Sequence, residues 1–522
     1  MTDELTRVAE ASARGSFFLI SGSFVSTVVM AVNVIVIANL LGPELYGQYS
    51  LAWVIPSVIF MVIDLGLSAG ITRFAAAYNV RNESARLAHL IKHTLMVKFA
   101  IGLLFSIVNF VLAGWFASFL QRPFLAFYIQ IASISILFLA LNAVVSSAFV
   151  GLDKAEYAAI LADLSAIVNT VVSIGLVVVG FGIAGSVIGT VTGNVATGIV
   201  GVLMLFMFLR RIPRSQSISD VGADFRSMMA YGAPLYVSSL LWGVISYYQY
   251  FVLARFAGDV DIGNYKAALN FGTLVAIVSV PLTTVLVPAF CKLESCTEDR
   301  IRSFFKLTNK YSTLLVAPVA IFIIIFSNQV VDVIYRGKYP SAGGFLAIYC
   351  LVYLLVGLGY VTLTSFFSGL SDTRTTLAMA IVTFPVLLIL SPALASILGV
   401  QGAIVAFIIA SAAGTIYGAA RARSRFRVKV DITSVLKIYA IAALSCLPSS
   451  LVLRFVYFPR LAIISPKLIG IVVAGLLFLF AYATLIPLTK IVTTDELQKA
   501  ALVIGKTKSL SFVARPLLRY EQ

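Results

Sequence analysis

Residues 33–53 read NVIVIANLLGPELYGQYSLAW, and residues 249–269 read QYFVLARFAGDVDIGNYKAAL. At an offset of 216, six of the 21 positions are identical without a gap: Val36/Val252, Ala38/Ala254, Gly42/Gly258, Gly47/Gly263, Tyr49/Tyr265 and Ala52/Ala268. Two further landmarks recur at nearly the same spacing. FVGLDKAEYAA (149–159) returns as FSGLSDTRTTL (367–377) at 218, and Gly182-Ile-Ala-Gly185 as Gly399-Val-Gln-Gly402 at 217. Solenoid repeats run to about 20–50 residues, so this much longer period marks two homologous lobes.

Composition says what the lobes are made of. The 522 residues are 60% hydrophobic and 11% charged, with mean hydropathy +1.01, whereas a soluble domain is about 25% charged. A bilayer core is crossed by about 20 apolar residues in helical form. Such runs fall at 17–41, 50–69, 93–118, 124–149, 157–179, 185–209, 231–256, 267–290, 309–329, 344–368, 375–398, 402–420, 434–456 and 467–489. Pro56, Pro234, Pro281, Pro318 and Pro385 fall within them and predict kinks. The expected fold is an all-α integral membrane protein of about fourteen transmembrane spans. The parts are an N-tail (1–16), a first lobe of spans 1–6 (17–209), an inter-lobe loop (210–230), a second lobe of spans 7–12 (231–420), spans 13 and 14 (421–489) and a C-tail (490–522). Six spans per lobe is an even number, so both lobes enter the membrane in the same direction. That parallel repeat supports rocking about a central cavity.

Lys and Arg set the orientation. With the N-terminus cytoplasmic, 29 of the 38 basic residues fall in inner segments and 8 in outer ones. The bias places both termini inside the cell membrane and accounts for much of the +16 net charge. Arg421-Ala-Arg-Ser-Arg-Phe-Arg-Val-Lys429 therefore reads as a topology signal facing anionic lipid, not as a nucleic-acid patch. The first apolar run is too long for a cleaved leader and is expected to remain as span 1. Short amphipathic stretches at 81–92 and 297–308 are expected along the inner surface.

Ionisable groups inside spans are costly and so mark candidate function. Asp64, Lys98 and Asp163 lie in spans 2, 3 and 5, with Arg73 just past span 2, all towards the inner side. At the repeat spacing their second-lobe counterparts are Val280, Leu315, Ile381 and Ala289, so the first lobe is charged where the second is apolar. Cations at that depth suit a lipid diphosphate, and a neighbouring Asp would hold them while the site is empty. The competing reading is that Arg73 and Lys98 snorkel to the headgroups. Tyr247 and Tyr353 belong to aromatic clusters that suit sugar stacking or an interface belt. Gln249 and Asn270 are polar groups in spans 7 and 8, and Arg255 and Lys266 flank the outer end of span 7. Cys291, Cys296, His89 and His93 could be drawn into a zinc site only across two lobes, so no metal or other cofactor is expected.

LGPELYGQYSLAW (41–53), DLGLSAGITRFAAAY (64–78) and YGAPLYVSSL (231–240) resemble the polysaccharide-transporter branch of the multidrug/oligosaccharidyl-lipid/polysaccharide exporter superfamily. The likeness covers spans 1–12. It implies a flippase that carries a polyprenyl-linked oligosaccharide to the outer leaflet, a monomer working among membrane lipids and glycan-assembly enzymes. One departure matters: many relatives carry an acid in the middle of span 7, where this chain has Gln249. The major facilitator class shares the six-plus-six plan, but AGITRFAAAYNVRNE (69–83) does not resemble its loop signature. A cation-coupled drug exporter of the same superfamily remains the alternative. A polytopic glycosyltransferase would need a long loop with catalytic carboxylates, and the outer loops here are short.

Overall fold

The computed structural model describes residues 2–81, 83–210, 221–293, 297–455, 466–489 and 491. Among them all regular structure is helical. The α-helices run in the order α1 (Thr2–Ala52), α2 (Val54–Val62), α3 (Leu67–Val80), α4 (Ser84–Phe119), α5 (Ala126–Gly151), α6 (Ala155–Leu176), α7 (Gly182–Arg210) and α8 (Val221–Phe256). They continue with α9 (Asp259–Cys291), α10 (Glu298–Tyr335), α11 (Ala342–Cys350), α12 (Thr362–Gly369), α13 (Thr373–Phe426), α14 (Ile432–Phe455) and α15 (Pro466–Leu488). A 3-10 stretch, Leu351–Leu358, joins α11 to α12 as one span bent by 46°. Among the described residues, nine helical stretches are long and apolar enough to cross a membrane, and this bent pair makes a tenth.

Three of those stretches hold two crossings each, which makes thirteen, and α8 lies over the expected span 231–256, so the arrangement is consistent with the fourteen expected spans. In α1, Asn33 and Tyr49 are 16 residues apart, yet they meet one polar network. Asn33 Nδ2 donates to Asn169 Oδ1 (3.4 Å), Thr190 Oγ1 reaches the same oxygen (3.3 Å), and the Tyr49 hydroxyl lies 3.2 Å from Thr190 Oγ1. A straight helix of that length would separate them by about 24 Å. The chain folds back instead at Gly42 (φ 74°, ψ 175°), a conformation open to glycine, and Pro43 starts the return arm. The other reversals repeat each other: Gly182 (φ 52°, ψ −128°) and Gly399 (φ 57°, ψ −133°) share one backbone conformation. The helical assignment continues through Pro281, Pro318 and Pro385. The stretches at 84–92 and 298–308 run on into α4 and α10 as single helices, because no breaker separates them from the apolar run.

The repeat is also visible in packing. Gly151 lies against Thr72 O and Ala75, and Gly369 against Val287 O and Phe290. Both contacts use an offset of 215, not 216, so Arg73 is matched by Pro288 rather than Ala289. The first lobe thus carries one extra residue between Gly47 and Thr72, a stretch that includes the break between α2 and α3.

Two compact units emerge, and they cut across the sequence lobes. One comprises residues 1–270, 334–345 and 380–410, the other 271–333, 346–379 and 411–522. The core of the first is aliphatic with Phe149 at its centre, built by Ile71, Leu90, Ile91, Val144 and Leu161. The core of the second is aromatic: Phe290, Phe305 and Phe367 each lie edge-on to Phe366 with centroids 5.1–5.2 Å apart. On α4, Phe99, Leu103, Ile107 and Phe110 form an exposed apolar stripe suited to lipid.

Candidate functional site

The break between α2 and α3 sets the inner polar cluster. Leu65 (φ 51°) and Gly66 (φ 76°) leave the helix, so the last carbonyls of α2 lose their intrahelical donors. Tyr236 donates its hydroxyl to Val62 O (2.7 Å), and Lys98 Nζ donates to Ile63 O (3.2 Å). Lys98 Nζ also pairs with Asp64 Oδ1 (2.8 Å), which accepts from Ser68 Oγ at 2.5 Å. A glycine at 66 is required twice, by its positive φ and because a Cβ there would lie 2.4 Å from the Gly232 carbonyl.

Sequence alone paired Asp64 with a nearby cation but could not foresee the break that gives Lys98 its second partner. The Lys98 side chain has 0% exposure and that of Asp64 28%. Placement of the pair at a break explains the lobe asymmetry, since α9 runs unbroken from Asp259 to Cys291 and needs no such staple.

Arg73 is exposed on α3 and stacks on the ring of Tyr231 at 4.0 Å, with no ion pair among the described residues. Asp163 is half-buried on α6, and its Oδ1 is buried without a hydrogen-bond partner among them. Gln249 is wholly engaged: Nε2 donates to Ala403 O and Oε1 accepts from Ser391, both at 3.1 Å. It ties α8 to both arms of α13. Arg255 is exposed in the last turn of α8, where a cation suits the helix C-terminus. Tyr353 belongs to the second unit and donates to Gly272 O (3.2 Å). The other eight candidates lie in the first unit, where Asp64 and Lys98 touch each other directly.

A second polar cluster joins residues from both sequence lobes within the first unit. Asn270 Nδ2 donates to the hydroxyls of Tyr46 (2.9 Å) and Tyr335 (3.4 Å). Tyr339 donates to Ala38 O (2.6 Å), Lys338 Nζ to Asn39 O (2.7 Å), and Asn39 Nδ2 to Ile334 O (3.0 Å). At its edge, Gly47 and Gly263 meet backbone to backbone. A Cβ on Gly47 would sit 2.0 Å from Asp259 O, and one on Gly263 would sit 1.8 Å from Pro43 O. Pro43 and Asp259 are themselves repeat mates, so each lobe presents the same patch to the other. This is the isologous contact a two-fold axis requires.

Lys266 stands beside this seam, half-buried on α9, within electrostatic reach of the Tyr49 and Tyr247 hydroxyls. No carboxylate pairs with it among the described residues. Its first-lobe counterpart is Ser50, so the repeat itself flags the substitution. Cys291 is free and exposed, and Cys296 lies outside the described residues.

Comparison with known proteins fits this architecture. A family model described as polysaccharide biosynthesis protein matches residues 12–294. The lipopolysaccharide biosynthesis protein WzxC of Escherichia coli (strain K12) is 28% identical over 173 residues, covering 32% of this chain and 34% of that protein. The chain thus spans about a third of that relative's length. The stage V sporulation protein B of Bacillus subtilis (strain 168) is 22% identical over 372 residues, 66% of this chain and 70% of that one. Among solved structures, the lipid II flippase MurJ in an inward closed conformation superposes with TM-score 0.69 at 16% identity, covering 90% of this chain and 99% of that one. An inward-facing multidrug resistance transporter of the MATE family gives 0.64 at 15% identity, covering 79% and 96%. These likenesses establish the all-helical membrane fold.

Proposed function

Because the chain belongs to the polysaccharide biosynthesis protein family, we propose that it is a transporter, and not an enzyme, for a lipid-linked oligosaccharide. It moves an oligosaccharide on polyprenyl phosphate or diphosphate from the cytoplasmic to the outer leaflet of the cell membrane by alternating access. Both termini lie in the cytoplasm, as the Lys and Arg bias requires, and the chain works as a monomer alongside glycan-assembly enzymes. The observation that carries this reading is Lys266: a half-buried lysine on a membrane-spanning helix, within electrostatic reach of the Tyr49 and Tyr247 hydroxyls and with no carboxylate partner among the described residues. An anionic substrate group completes that site and is stabilised there, since an unpaired charge in a low-dielectric interior is costly. Arg73, exposed and stacked on Tyr231, supplies a first contact nearer the inner surface.

One observation favours the cation-coupled exporter instead, the unpartnered Oδ1 of Asp163. Flipping of a fluorescent polyprenyl-diphosphate oligosaccharide in proteoliposomes separates the two. Lys266→Ala and Arg73→Ala are expected to slow it by roughly ten- to a hundredfold, one charge-assisted contact each, with Lys266→Arg largely active. Full flipping by both alanine variants, together with its loss in Asp163→Asn, would transfer the assignment to the exporter.

A further inference from the structure

Outside the polar clusters, the first unit carries a lateral groove of about 410 Å³. Leu95, Met96 and Phe99 of α4 form one wall, Ile199 and Leu203 of α7 the other, and Phe138 of α5 the floor. The groove exists because α4 and α7 each pack on α5, and Gly198 lets α7 approach Phe138 closely, where a Cβ would lie 2.8 Å from the ring. Its lining is almost wholly apolar, and its volume falls in the range of small-ligand sites, about 300–1,000 Å³. Hydrocarbon fills such a groove at bilayer depth, but one hydrocarbon chain is as good as another there. Selectivity has to come from the ends.

Both walls end in a cation at the same side of the membrane. Lys92 precedes Met96 by one turn and Phe99 by two, so it continues the α4 wall. Arg210 follows Leu203 by two turns and lies over the ring of Phe206 (4.7 Å), so it continues the α7 wall. Both are exposed, and neither has an ion pair among the described residues. Glu83 and Asp224, nearer in sequence, are both taken up by Arg86, and Asp153 is exposed on the α5–α6 turn, next to Lys154. The Lys and Arg bias assigns this end to the cytoplasmic leaflet.

We propose that this groove is a binding site for an anionic phospholipid of the inner leaflet, with an acyl chain along Phe138 and the headgroup phosphate between Lys92 and Arg210. The lipid is a resident of the lobe, not the transported molecule, so the proposal stands independently of the substrate reading. It is tested in full-length protein with Trp53, Trp115 and Trp242 replaced by Phe and one reporter, Leu203→Trp, placed in the groove. Brominated phosphatidylglycerol should quench that reporter at roughly tenfold lower mole fraction than brominated phosphatidylcholine, as two juxtamembrane cations predict. Adding Lys92→Gln and Arg210→Gln should abolish the preference. A second reporter, Val171→Trp, exposed on α6, should show none. Equal quenching by both lipids, a preference that survives both Gln changes, or a reporter shielded from both lipids by a second copy of the chain would overturn the proposal. Native mass spectrometry of the unmodified chain in an equimolar mixture of the two lipids gives an independent reading. Retained phosphatidylglycerol that is lost in Lys92→Gln/Arg210→Gln supports the site; a retained polyprenyl lipid in its place refutes it.

Discussion

Arg122 holds Asp259 across the two sequence lobes, with Nε 2.7 Å from Oδ1. Its other nitrogens donate to Ala254 O (3.1 Å), in the last turn of α8, and to Ala257 O (3.0 Å), just past its end. One guanidinium therefore caps the end of α8 and grips the start of α9, while Gln48 Nε2 takes the second Asp259 oxygen at 2.9 Å. Both charged side chains are nearly buried, at 16% and 14% exposure. Under the proposed alternating-access function, this grip is one that has to open.

Arg122→Ala should therefore shift the resting equilibrium towards the state in which the seam is parted. Hydrogen bonds to a charged group are worth about 1.5–3 kcal/mol, so a cysteine placed at Gln48 should react with an impermeant reagent about ten- to a hundredfold faster. Unchanged labelling, in protein that still folds, would mean the contact is ornamental.

Gly47→Ala and Gly263→Ala should behave alike. Each added methyl would fall 2.0 Å or less from the opposing carbonyl, so both variants force the two arms apart. Crosslinking between cysteines at Asn39 and Lys338 should drop in both. If only one variant loses it, the two-fold relation does not extend to the energetics.

The Lys98–Asp64 staple predicts a sign reversal. Lys98→Met leaves Ile63 O without this donor and the partly buried Asp64 carboxylate with Ser68 Oγ but no countercharge, and should cost about 1–3 kcal/mol. The double variant Lys98→Met/Asp64→Asn should recover part of that loss, read as a higher melting temperature in detergent. A double variant less stable than the single one would argue against pairing.

Acid should loosen the tie between α4 and α8. Arg86 Nε lies 2.7 Å from Asp224 Oδ2, and the guanidinium beside it holds the Asp224 carboxyl below its ordinary value. A depressed acid stabilises the folded state above its unfolded pKa of about 3.9 and loses that contribution as pH falls through the lower folded value. Stability should thus decline below about pH 4, and Asp224→Asn should flatten the decline. Arg86 is 37% exposed, so the effect is modest, about 1 kcal/mol or less. An identical acid profile in Asp224→Asn would remove the tie from the account.

Gln249→Glu tests whether an acid fits span 7 of this chain. The amide donates to Ala403 O, and a carboxylate would face that carbonyl with no proton to offer. A loss of about 1–3 kcal/mol is expected. A variant as stable as the parent would show that the neutral tie is dispensable.

The helical class, the approximate spans and the repeated glycines were legible in the sequence, from its apolar runs and from the fixed offset between residues 33–53 and 249–269, because both are properties of the chain itself. Spacing also placed Asp64 and Lys98 at one depth. What spacing could not supply is which carbonyls go unpaired. The break at Leu65–Gly66, the engagement of Gln249 by two backbone and side-chain partners, and the lone Lys266 each depend on which helices approach one another. The one-residue slip that matches Arg73 to Pro288 has the same origin, since a sequence offset counts residues while packing counts contacts. Hydrophobicity and periodicity assign a side chain to membrane, core or surface; only the folded backbone decides whether a polar atom there has already found its hydrogen bond.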